Sequence, residues 1–568
     1  MLEHSTQRAH TRRVGLVQHR GLSALALLTL SSLVALATPA DGALKWSRPQ
    51  AIGDGNSLYK GLHIDARGDL LATWTTSEFD PAELEYRVST FYAWRAPGGR
   101  WTPASELGPV NGNPAVALSP RGRATAVWAD GEDIVAAEAS VGGEFRGTQV
   151  IGRTDRCCAA TIDVVTDDEG NAMAAWSGEH VPQTEPGGIS GRKIYAATRT
   201  PLGTWSAPEL VRHGTTGGGP DLAMNAAGAA VIGWFDTANM DPYISYRLPA
   251  GRFGPAERVP SKHWGWPKVA IADDGEAVVA TSSRSHTTTE PVDALMVTRR
   301  PLGGWTAPVS FSVQEPPRAV FAEPNGSATM FMADMSDPNH PQAQYVTRSV
   351  AGEVDGPTTV ASDRGWTDIA MNLRGDIFAL LWDRGPEQGR TEFAERPAGG
   401  GGFGAVQTVP GFLGASTNAV ALNDAGHAAV MGTVGAAPAN RVYVAVREDT
   451  AQPALPFPPS LEIDVPDTPQ LDEGGVLRIA VRCSAACKAL PTGILSPNGN
   501  AELVGASGSS KRIGAKQQRV LTIRFGDELS RAVRKAVRAG RKPWVSVSVR
   551  ARGKSPRPMT VSRRIRLR

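Results

Sequence analysis

A glycine closing a polar turn recurs at Gly68, Gly122, Gly170, Gly228, Gly275, Gly326, Gly375 and Gly426, at intervals of about 50 residues. A fixed period of this length marks a repeat architecture. A chain of 568 residues needs one, because a single core stops growing at about 250–300 residues. Three positions before six of these glycines stand Asp65, Ser119, Asp167, Asn225, Asn372 and Asn423. Such side chains bond to backbone two residues on, while glycine supplies positive φ. This is hairpin chemistry, repeated eight times.

Six residues beyond the turn glycine lie Trp74, Trp128, Trp176 and Trp234, and Trp382 lies seven beyond Gly375. The intervening stretches, such as Ala124-Thr125-Ala126-Val127, are short and apolar and predict strands packed on both faces. A third strand follows in each unit, for example 192–199 and 243–247. Next comes an aromatic residue (Trp46, Trp101, Phe145, Trp205, Phe253, Trp305 or Phe403), in most units with a proline just after it. Proline cannot sit centrally in a sheet, so this fourth strand is an outer edge. Four strands per period of about 50 residues describe a propeller blade. The expected fold is all-β, a β-propeller of eight four-stranded blades, with seven as the alternative. The first repeat begins on an edge strand (46–52) and the last ends on a third strand (441–447), so the N-terminal strand is expected to complete the last blade and close the ring.

The segment Leu202-Gly203-Thr204-Trp205-Ser206-Ala207-Pro208, with counterparts at 99–103 and 303–308, resembles the second half of the aspartate box of bacterial neuraminidase repeats. The first half, Ser or Thr followed by Asp and Gly, is missing from every unit. Over residues 44–449 the resemblance implies a sialidase-like propeller with degenerate boxes. An active sialidase-like glycoside hydrolase would also carry three arginines holding a carboxylate, a tyrosine nucleophile paired with a glutamate, and an aspartate acid or base. Arg95-Ala96-Pro97, Arg199-Thr200-Pro201 and Arg247-Leu248-Pro249 are the same turn at the end of successive third strands. Residues repeated in this way read as structural, and so do Tyr86, Tyr195, Tyr243 and Tyr246. No catalytic residue is assigned.

Charge divides the chain. Residues 43–460 hold 33 Lys plus Arg against 46 Asp plus Glu, whereas 461–568 hold 22 against 8. The domains expected are a signal peptide (1–42), the propeller (43–449), a Pro-rich linker (450–460) and a basic β-sandwich (461–568). The sandwich has strands at 476–482, 520–525, 544–550 and 560–567 and one helix over 527–539 stopped by Gly540. Its layout resembles the immunoglobulin-like modules appended to exported bacterial repeat proteins. Arg12, Arg13 and Arg20, an apolar run over 22–37 and small residues at Ala35 and Ala37 make an export signal. Thr11-Arg12-Arg13-Val14-Gly15-Leu16 loosely resembles a twin-arginine signal, which leaves the export route open. The expected location is secreted or at the cell envelope. In an oxidising compartment Cys483 and Cys487 are the disulfide expected, fastening a hairpin, while Cys157 and Cys158 either pair as neighbours or remain thiols.

No cofactor and no metal are expected. His63, His180, His213, His263, His286, His340 and His427 show no ligand spacing, and Asp167-Asp168-Glu169-Gly170 and Asp273-Asp274-Gly275 read as Asp-rich turns rather than calcium loops. The connections at 178–192, 282–293 and 335–342 vary most between repeats, and a propeller builds its ligand platform from such loops. Trp264, Trp266 and Trp366 precede inner strands and are the ligand-stacking candidates, core packing being the alternative. The function these features favour is a monomeric, non-catalytic binding protein for carbohydrate or protein, its basic domain held by an anionic cell-wall polymer. A sialidase-like hydrolase and a structural surface protein are the alternatives, and nucleic acid is not an expected partner.

Overall fold

All eight turn glycines adopt positive φ, between 76° and 94°, and each donates its N–H to the carbonyl three residues earlier. In the six blades with Asp, Asn or Ser at that earlier position, its side chain completes the turn. Asp65 Oδ1 accepts from the N–H groups of Arg67 (2.8 Å) and Asp69 (2.9 Å), and Asn423 Oδ1 accepts from Ala425 (3.0 Å) and His427 (3.1 Å). The sequence pattern thus fixes the hairpin between the first and second strand of each repeat.

The computed structural model describes residues 44–567 apart from connecting segments, the longest of which are 155–160, 182–190, 283–291, 384–389, 435–439, 450–459, 465–470, 498–503 and 554–558. The hairpins build eight antiparallel blades of four strands. Blade 1, from the channel outward, is Lys60–Ile64, Leu70–Asp80, Glu85–Arg95 and Ser105–Pro109. Blades 3 and 4 are joined by one strand pair, Thr216 opposite Asp236. Blade 8 takes Ser416–Leu422, Ala428–Val434 and Arg441–Glu448 from the end of the ring and its outer strand from the beginning. Trp46 stands opposite Arg447, and Gln50 opposite Val444. The closure read from the sequence is therefore present, and it removes the free edge that blade 8 would otherwise expose.

The tryptophans ending the second strands lie between blades. Trp74, Trp128, Trp176 and Trp234 are at most 3% exposed, and Trp74, Trp176 and Trp234 each stack on an aromatic of their own third strand, Phe91, Tyr195 and Tyr243. The outer strand of the preceding blade makes room for the indole by bulging at a glycine. A Cβ on Gly53 would lie 2.4 Å from Trp74, and one on Gly152 would lie 2.1 Å from Trp176.

In six blades an arginine closing the third strand reaches a glutamate of the blade before it. Arg95 pairs with Glu448, Arg199 with Glu138, Arg299 with Glu257, Arg396 with Glu323 and Arg447 with Glu395. Arg348 lies 3.6 Å from Glu276. Nearer the axis, Asn225 Nδ2 donates to Ala272 O, Asn372 Nδ2 to Asn423 O and Asn423 Nδ2 to Asp65 O, the last across the closure. Cross-blade pairs of this kind help fix register between sheets whose facing surfaces are largely apolar.

The C-terminal strands form two sheets, one of Leu461–Asp464, Val476–Cys483 and Gln518–Arg524 and one built on Cys487–Ser496, Trp544–Arg552 and Met559–Arg566. Both contribute to a single core containing Ile479, Leu521, Leu495, Val547 and Ile565. The helix α1 (Asp527–Arg538) adds Val533 to it, and Gly540 follows at φ 73°. Cys483 and Cys487 are disulfide-bonded. They do not fasten a hairpin, as the sequence reading had it: Cys483 ends a strand of one sheet and Cys487 begins a strand of the other, so the bridge ties the two sheets together. The strand 487–496 escapes sequence reading because Pro491 interrupts its pattern. Residues 1–43, most of the Pro-rich linker, and Cys157 and Cys158 lie outside the described residues. Among the described residues no helix is long and apolar enough to cross a membrane.

Candidate functional site

An antiparallel four-stranded blade sends its first–second and third–fourth connections to one end of the channel and the other connections to the opposite end. The sandwich rests on the hairpin end. Ser546 Oγ donates to Pro249 O (2.6 Å), in the third–fourth turn of blade 4, and Arg550 pairs at 2.9 Å with Asp273, in the hairpin of blade 5. Between the two domains lies a cleft of about 910 Å³ bordered by Asn225, Arg300, Val350, Leu490 and Ser548. The strand ends flanking 182–190, 283–291 and 335–341 all open on the other, long-loop end.

At that end the innermost strands begin, and one column of the repeat carries charge. Seven residues before the turn glycine the blades have Gly61, Ala115, Asp163, Asp221, Lys268, Ala319, Asp368 and Ala419. An innermost strand has no neighbour on its channel side, so its N–H groups need other acceptors. The three carboxylates supply them across blade boundaries. Asp163 Oδ2 accepts from Leu222 N (2.9 Å), Asp221 Oδ2 from Val269 N (2.6 Å) and Asp368 Oδ2 from Val420 N (2.9 Å). Lys268 Nζ donates to Asp221 Oδ1 (3.0 Å). Burial raises the Asp163 carboxyl to about 7, with the charge of Asp221 adding to it. Burial likewise raises Asp368 to about 6.

Blade 1 contributes Tyr59, Lys60 and His63. The absent side chain of Gly61 leaves the space that Tyr59 Oη and His63 Nε2 share, each just over 3 Å from where a Cβ would stand. Burial lowers His63 to about 4, so its ring is neutral, and it lowers Lys60 to about 8. Burial and the nearby Asp163 charge raise the Tyr59 phenol, which stays protonated. The inner strands near this mouth therefore hold a phenol bonded to Thr73, a neutral imidazole whose Nε2 is buried, and carboxylates whose lone pairs are partly committed to backbone. Such a set exchanges hydrogen bonds with hydroxyl groups.

Trp266 stands at the same end, 52% exposed, its ring 5.5 Å from that of Phe235 and just before the innermost strand of blade 5. Trp366 is 3% exposed, donates to the carbonyls of Met332 and Gln344, and packs against Phe331 and Phe403. It belongs to the core between blades 6 and 7 and has no ring face to give a ligand. Trp264 lies outside the described residues. Sequence reading missed Tyr59, His63, Asp163, Asp221, Lys268 and Asp368 as a group. The signal was a charged residue at a column that is Ala or Gly in the other blades. Among the described residues no group of three or more His, Cys, Asp or Glu side chains is placed to hold a metal ion. The Asp-rich turns are engaged without a metal: Asp167 accepts from Asn171 within its turn, and Asp273 pairs with Arg550 of the sandwich.

No family profile matches the chain, and no curated protein matches it in sequence. Among solved structures it is similar to the polysaccharide lyase Uly1 (11% identity, TM-score 0.39, 70% of this chain and 90% of that one). It is also similar to an ulvan lyase bound to a GlcA–Rha3S saccharide (10%, 0.35, 61% and 93%) and to the β-propeller domain of the trilobed protease from Pyrococcus furiosus (9%, 0.36, 63% and 98%). At these identities and TM-scores the likenesses carry no information about chemistry.

Proposed function

We propose that this protein is an exported, non-catalytic β-propeller that binds carbohydrate at its long-loop end, with the basic sandwich keeping it near an anionic envelope. The observation that carries the reading is the division of the two ends. The sandwich occupies the hairpin end, while the opposite mouth combines the half-exposed ring of Trp266 with hydroxyl-bonding groups of the inner strands. An aromatic face beside convergent polar groups is how a saccharide is held, its C–H face on the ring and its hydroxyls on the polar set. The third-strand arginines that a carboxylate-gripping triad would draw on are engaged with glutamates between blades, which disfavours the sialidase-like alternative. Export rests on the N-terminal residues alone.

A glycan array combined with a fluorogenic glycoside panel tests this. Saturable binding without turnover, lost in Trp266→Ala, is the expected result. Turnover would make the protein a glycoside hydrolase, and silence in both assays would leave a structural surface protein.

A further inference from the structure

We propose that the exposed face of α1 is a docking ridge for a linear polyanion, a polymer bearing phosphodiester or uronate groups along its length. The inference deepens the envelope-retention reading above and rests on it. Arg531, Arg534, Lys535 and Arg538 are all exposed, and their spacing of three and four residues puts them on one stripe about 10 Å long. Lys542 is exposed just beyond the helix end. Among the described residues none of the four stripe cations has an ion-pair partner. The only acids on the helix, Asp527 and Glu528, are within reach of Arg531 and of none of the other three.

This arrangement costs the fold something. Like charges three and four residues apart destabilise a helix, and Arg531–Arg534, Arg531–Lys535, Arg534–Arg538 and Lys535–Arg538 are four such pairs. Lys535 and Arg538 recover part of the cost at the helix C-terminus. The propeller shows the opposite habit, with most of its third-strand arginines matched to carboxylates. Four unmatched cations in one continuous helical stripe, beside a propeller that pairs most of its third-strand arginines, point to an anion supplied from outside. Guanidinium groups grip phosphate and carboxylate bidentately. The acidic propeller, in turn, repels a polyanion and confines it to the sandwich.

Among polyanionic surfaces a soluble polymer fits better than a bilayer. A helix that binds membranes presents an apolar face to them, whereas the apolar side of α1 is already used: Val533 and Ala536 are buried, and Leu529 and Val537 pack on the sandwich core.

The test titrates the full-length protein with poly(glycerol phosphate), with polygalacturonate and with anionic phospholipid vesicles over a series of salt concentrations. At least one polymer should bind, and the Arg534→Ala/Lys535→Ala/Arg538→Ala triple variant should weaken it by about tenfold or more. That variant should also flatten the log–log salt slope by about two to three, with no fall in melting temperature. A triple of equal charge on the five-stranded sheet, Lys488→Ala/Arg512→Ala/Arg552→Ala, should change affinity less than about twofold against that slope. Equal losses in the two triples, no polymer binding by the wild type, or preference for vesicles over both polymers would each overturn the proposal. Trp266→Ala should leave polymer binding unchanged, so failure at the propeller mouth and failure here are read separately.

Discussion

Arg95 and Glu448 meet across the seam where blade 1 adjoins blade 8, 353 positions apart in the chain, with both side chains buried and Gly98 N adding a third donor to the carboxylate at 3.1 Å. The pair sits where the ring closes. Removing one partner strands a buried charge, which costs about 3–5 kcal/mol. Glu448→Ala should therefore lower stability by that order in chemical denaturation. Glu144→Ala, which breaks the exposed pair with Arg146, should cost under about 1 kcal/mol.

The channel carboxylates make stability depend on pH. Asp163 titrates near 7 and Asp368 near 6 in the fold, above the ordinary carboxylate value of about 3.9. Between the two values the folded chain holds protons the unfolded chain has lost. Their contribution is most favourable below about pH 4, declines as pH rises toward 7, and is flat above. In urea unfolding at pH 5 and pH 8, the change of stability with rising pH should be shifted in the stabilising direction in Asp163→Asn relative to the wild type, because the variant lacks the Asp163 contribution that is lost over this range. Identical pH slopes in the two proteins would refute the assignment.

The two described tryptophan candidates should separate cleanly. Trp366→Ala removes a ring 3% exposed in the core between blades 6 and 7 and should cost about 3–5 kcal/mol. Trp266→Ala, at a side chain 52% exposed, should leave the melting temperature nearly unchanged while abolishing glycan binding.

The disulfide should act on the sandwich alone. Cys483 and Cys487 enclose a short loop, so Cys483→Ser/Cys487→Ser should cost about 2 kcal/mol, read as an earlier sandwich transition with the propeller transition unmoved.

Much of this fold was legible because the repeat writes its turns in residues with a single backbone use. Gly68 and its seven counterparts needed positive φ, Asp65 and Asn423 needed an N–H two residues on, and a ring with an orphan first strand needed to close on its last blade. What stayed hidden depends on pairs that period alone does not reveal. Arg95 reads as a turn residue until Glu448 is beside it. Gly53 reads as one more glycine until Trp74 fills the space it leaves. The candidate mouth was only half visible: Trp266 was marked by its residue type. Asp163, Asp221 and Asp368 looked like scattered acids, because their common column emerges only when the blades are aligned on the turn glycine.

Which end of the channel binds is decided by hydrogen–deuterium exchange with and without the strongest glycan from the array. Protection over 59–64, 162–166 and 265–271, with the hairpin turns and the interdomain cleft unaffected, is the result expected here. Protection confined to the hairpin turns and residues 490–494 and 548–550 would place the ligand on the sandwich side and contradict the account.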